Sequence, residues 1–168
     1  MTSRTLAGAA LAIALALSAC GEAQDPQLRK ETLRFTEQQT DNFGFLDNAP
    51  RTKIGEEGPE SLSNGDQITF SSDLLDAGSK DVGGLDISCA VTRPGGFDTS
   101  QQQCTGTATL SDGTLTLARG GRVFGGASAT GAILGGSGAY AGASGEFTES
   151  EERDGRTPYT FRIWLPED

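Results

Sequence analysis

Pro158-Tyr159-Thr160-Phe161-Arg162-Ile163-Trp164-Leu165 is the clearest structural statement in the chain. Tyr159, Phe161, Ile163 and Leu165 alternate with Thr160, Arg162 and Trp164, which is the period of a strand with one face wholly apolar. Working outward, Asp154-Gly155 is a hairpin signal, and Phe147 begins the strand before it. Asp112-Gly113 marks a second hairpin. It separates a strand carrying Leu115 and Leu117 from one that sets Cys104, Gly106, Ala108 and Leu110 against Thr105, Thr107 and Thr109. Upstream, Leu85, Ile87, Cys89 and Val91 oppose Asp86, Ser88, Ala90 and Thr92, and Asp76 to Gly84 turns the chain. Ile68, Phe70 and Leu74 form one face of a further strand, and Leu33 and Phe35 begin the first. Seven or eight strands with no convincing helix predict an all-β fold, either a sandwich or a closed barrel. The segment from Asp47 to Gly65, with two prolines and three glycines, reads as a loop whose length hints at function.

Before these strands the chain is of another kind. Arg4 precedes an apolar run from Leu6 to Leu17, too short for a comfortable membrane span. It ends in Leu17-Ser18-Ala19-Cys20-Gly21, which resembles the lipobox of bacterial lipoproteins. The resemblance implies a signal peptide over residues 1–19, removal at Ala19, and lipidation of Cys20. An ordinary secretory signal with Cys20 as a bystander is the alternative. Residues 20–30 read as a polar tether, leaving 31–168 as one domain. The expected location is the cell envelope, on the extracytoplasmic face.

Composition removes several chemistries. Histidine is absent, so a Ser-His-Asp triad, a Cys-His pair and a His-ligated zinc site are excluded. No metal or cofactor is expected. The formal charge is -10, and Arg4 is the only charged residue of the signal, so the remainder carries -11. Such a surface repels phosphate backbones, which argues against nucleic acid as a partner. With Cys20 lipidated, Cys89 and Cys104 are the only pair left, both on the apolar parity of neighbouring strands. An exported protein favours their oxidation over two buried thiols.

Gly135-Gly136-Ser137-Gly138-Ala139-Tyr140-Ala141-Gly142-Ala143-Ser144-Gly145 resembles the glycine signature of the allene oxide cyclase and dirigent barrel superfamily. GDQITFSSDLL (65–75), VGGLDISC (82–89), GTLTLARG (113–120) and PYTFRIWL (158–165) resemble other segments of that superfamily, in order. The resemblance covers about Leu33 to Leu165. It implies an eight-stranded antiparallel barrel with a central cavity for a small, mostly apolar ligand. Gly136-x-Gly138-x-x-Ala141 also fits a dinucleotide fingerprint in form, but strands on both sides replace the βαβ context that motif needs.

The resemblance also implies site residues. Plant allene oxide cyclases use a buried glutamate on the first strand, for which Glu37 is the candidate here, with Gln39 and Asp41 near it. Dirigent proteins use cavity aspartates, and Asp73 falls near one such position. For both residues a solvated place on the polar face is the ordinary alternative. The cyclases also carry a tyrosine just before the glycine signature, and Val123 to Ala132 holds none, which argues against fatty-acid epoxide cyclisation. Three functions stay open: a lipid-anchored barrel that binds a small apolar molecule, an isomerase or cyclase acting on such a molecule, and a packed structural barrel. Self-association into a homo-oligomer is left open as well.

Overall fold

A computed structural model describes residues 27–48, 51, 54–55, 58–122, 128–150 and 154–167. Eight strands close into an antiparallel barrel. They are β1 (Leu28–Leu46), β4 (Gln67–Leu75), β5 (Asp81–Arg93), β6 (Gln101–Leu110), β7 (Gly113–Gly121), β8 (Ser128–Gly138), β9 (Ser144–Ser150) and β10 (Arg156–Pro166). A small hairpin, β2 (Ile54–Gly55) and β3 (Gly58–Pro59), interrupts the segment read as a loop. Of the sandwich and the barrel, the chain forms the barrel. No helix occurs among the described residues.

Closure depends on β1. Its first half pairs with β10, from Leu28 opposite Pro166 to Gln38 opposite Arg156, and its second half pairs with β4. One strand of 19 residues therefore joins both edges of the sheet and closes the barrel. Leu28 to Lys30, read above as the end of a tether, belong to this strand. The backbone pairing with β10 claims them despite their polarity.

The glycine-rich signature ends β8, turns through Ala139–Ala143 and enters β9. Gly138 has a φ of 61°, and a Cβ there would lie 2.3 Å from the Asp112 carbonyl oxygen. Only glycine lets the two turns approach this closely. A strand follows where a dinucleotide site would need a helix. Asp154 and Gly155 both have positive φ, 53° and 71°, the left-handed conformation that tight turns between strands use. At the other hairpin the turn is Ser111-Asp112, and Gly113 already pairs with Leu110.

Inward residues fill one half of the barrel with Leu85, Leu115, Leu117, Ile133 and Ile163 around a ring cluster. Phe161 sits between Phe35 (centroids 5.7 Å apart), Tyr159 (6.0 Å) and Phe147 (6.1 Å). Toward the other end a smaller cluster joins Ile68 and Val91 to Leu62, which is bridged to Gly95 by two backbone hydrogen bonds. Buried Asp66 ties this region together. Its carboxylate accepts from the Asn48 N–H (2.8 Å), the Ser63 N–H (2.6 Å) and the Ser63 hydroxyl (2.8 Å). Cys89 and Cys104 are direct cross-strand partners, 15 residues apart, and form a disulfide. Closing a loop of that length contributes about 3 kcal/mol in the chain-entropy model.

Candidate functional site

Alternation along β1 carries Leu33 and Phe35 inward, and Glu37 comes next on the same side. It is only 4 % exposed. Its Oε1 accepts a hydrogen bond from the hydroxyl of Ser72 on β4 at 2.6 Å, and Ser72 is buried too. Glu37 is thus not the solvated carboxylate that is ordinary for its type. Asp73, one residue beyond Ser72, follows the opposite parity and is exposed on the outer face. The structure does not bring Asp73 to Glu37, because a one-residue step along a strand reverses the side chain.

Three further polar residues share the interior. On β7 the inward series Leu115, Leu117 continues to Arg119, and on β9 Phe147 is followed by Glu149. The Arg119 guanidinium pairs with Glu149 Oε2, and the Tyr159 hydroxyl donates to the same oxygen at 3.3 Å. Arg119 is held a second time through a bond to the Arg122 carbonyl. None of the three is read from the sequence as a site residue. The signal was present, since Arg119 and Glu149 are charges at positions where the strand period expects apolar residues.

Tyr159 is where these groups meet. Burial raises its pKa well above 10.0, and the charges of Glu149 and Glu37 and the bond to Glu149 raise it further. The Arg119 charge pulls the other way. Tyr140, in the turn of the glycine signature, is pushed up to about 12 by burial first and by Asp112 second. These are the only two tyrosines of the chain. Spectrophotometric titration of the folded protein should therefore show no phenolate step near pH 10, whereas the urea-unfolded chain should ionise at about 10. Because the folded values lie above the unfolded ones, the tyrosines' contribution to stability is constant below pH 10 and falls as pH rises from there toward the folded values. Two phenolates appearing at pH 10 in the folded protein would contradict this site.

A crevice of about 210 Å³ opens beside the Glu37–Ser72 pair, lined by Gln39, Phe43, Phe70, Ser72 and Phe97 among others. It is smaller than the usual pocket for a drug-sized ligand, roughly 300–1,000 Å³. Among the described residues no group of three or more His, Cys, Asp or Glu could hold a metal ion. Cys20 and the signal lie outside the described residues, as do residues 123–127 of the stretch that lacks a tyrosine.

Known proteins place this geometry. A solved structure of pyocyanin demethylase is similar, at 25 % identity and a TM-score of 0.63, covering 79 % of this chain and 99 % of that one. A pterocarpan synthase dirigent protein matches at 16 % identity and a TM-score of 0.65, covering 86 % and 90 %. AbnU, an exo-specific intermolecular Diels-Alderase, matches at 10 % identity and a TM-score of 0.60, covering 81 % and 98 %. The last two similarities are of fold alone. No curated protein sequence matches. The family model described as "Allene oxide cyclase barrel like domain" matches residues 46–165, most of the closed barrel, and the chain belongs to that family.

Proposed function

We propose that the protein is an enzyme that isomerises or cyclises a small, largely apolar metabolite inside the barrel. The observation that carries this is Glu37, a carboxylate buried against Ser72 in an interior that also holds a neutral phenol and a guanidinium. A carboxyl group withdrawn from water needs a reason, and acid–base work is one such reason. Glu37 takes a proton from the substrate and returns it elsewhere on the same molecule. Ser72 fixes the carboxylate, and Tyr159, kept protonated, donates toward charge that develops on the substrate. Arg119, held by Glu149, stabilises that charge from β7. The proton is conserved, so substrate and product are isomers.

The similarity to pyocyanin demethylase supports a planar aromatic or heteroaromatic substrate, and the aromatic lining of the crevice suits one. The test is incubation with an organic extract of the protein's own cells, followed by mass spectrometry. Loss of one compound with gain of another of equal mass and different retention is expected. A bound compound recovered unchanged would make the barrel a carrier, and no bound or altered compound would make it structural.

In the same reading the chain is tethered outside the cytoplasm through an acylated Cys20, supported by the lipobox-like residues 17–21 and the apolar run before them. Cys20→Ser should move the protein from the membrane fraction to the soluble fraction. Unchanged partitioning would refute the anchor.

A further inference from the structure

Two hollows meet at one break in the barrel wall. β1 and β4 are paired at Gln39 and Ser72 and again at Phe43 and Phe70, with a register shift between. Thr40, Asp41 and Asn42 thus stand against Ser71 alone. The ladder is patched there by a side chain, because the Thr40 hydroxyl donates to the Ser71 carbonyl at 2.6 Å. Bulges of this kind bend a strand and open its pairing, and they recur beside active sites.

On the inner side of the break lies the crevice of about 210 Å³ that ends at Ser72. On the outer side lies an open groove of about 700 Å³, lined by Asn42, Thr69, Asp86, Ser88 and Thr107 among others. Phe43, Phe70 and Ser71 line both. Phe43, where the pairing resumes opposite Phe70, is 53 % exposed, a large apolar ring beside the break. A ring in that position lines both hollows and stands between them.

We infer that the break is a side door, through which a small molecule passes from the outer groove, past Phe43, to the Ser72–Glu37 pair. The groove presents hydroxyls, an amide and the Asp86 carboxylate, and no Lys or Arg lines it. It therefore receives a small apolar body that carries hydroxyl or amino groups, and gives an anion no cationic partner. What happens to the molecule at Glu37 rests on the function proposed above, but the door itself does not.

The test needs no substrate. In the full chain carrying Cys20→Ser, Ser72→Cys places a thiol on the wall of the crevice, and methyl methanethiosulfonate reports its accessibility by mass spectrometry. Adding Phe43→Ala should speed labelling about tenfold, as removing about 1.4 kcal/mol from an opening step would. Adding Phe43→Trp should slow it. Equal rates in all three backgrounds would overturn the door, since access would then run elsewhere. Should Ser72→Cys fail to fold, Glu37→Cys carries the reporter on its hydrogen-bonding partner and is read the same way. Failure here leaves the acid–base chemistry untouched, and absence of turnover would leave the door standing.

Discussion

Glu37→Gln slows turnover by about 10²–10⁴-fold, the range for loss of one positioned general acid–base group. The substitution keeps the size of the side chain and an oxygen that can accept from the Ser72 hydroxyl, so the fold and the crevice remain. What disappears is the capacity to take and return a proton. Ser72→Ala has a smaller effect, because it frees the carboxylate to rotate without removing it. Asp73→Asn is the contrast. It lies one residue from Ser72 in sequence but is exposed outside the barrel, and its rate should stay within about twofold, as for surface sites away from a functional centre. Initial rates of isomer formation, with melting temperatures measured alongside, check all three. A Glu37→Gln enzyme with full activity would remove the carboxylate from the mechanism.

Phe161→Ala destabilises the domain by about 3–5 kcal/mol, the range for deleting a fully buried aromatic side chain. Phe161 has no exposed surface and touches the rings of Phe35, Phe147 and Tyr159. Its loss leaves a cavity that a closed barrel cannot collapse to fill, because every strand is paired on both sides. Against a total stability of about 5–15 kcal/mol this is a large fraction. Leu134→Ala is the control. Leu134 is 61 % exposed, and its removal should cost no more than about 0.5 kcal/mol. Urea unfolding of the two variants separates them, and equal midpoints would show that the ring cluster does not hold the barrel together.

The barrel was legible in the sequence because both of its determinants are local. Period-two alternation in residues 158–165 or 85–92 is a property of neighbouring residues, and the glycine string marks a turn that few other residues can make. Glu37 was legible through family resemblance, and its burial follows from the parity begun by Leu33 and Phe35. Arg119 and Glu149 escaped notice because a charge in a strand is ordinarily read as facing solvent. Only the pairing of β7, β8 and β9 shows that these two charges face each other indoors. The break at residues 39–43 was not legible at all. It is a mismatch of registers between strands far apart in sequence, fixed when the barrel closes and not by any residue within it.

The most direct measurement is native mass spectrometry of the full chain and of Glu37→Gln, each isolated gently from its own cells. A variant that binds but cannot turn over should hold its substrate. The expected result is a small molecule retained by Glu37→Gln and lost on denaturation, with its isomer, or nothing, on the unaltered protein. The same molecule, unaltered, on both proteins would contradict catalysis and leave a binding barrel in its place.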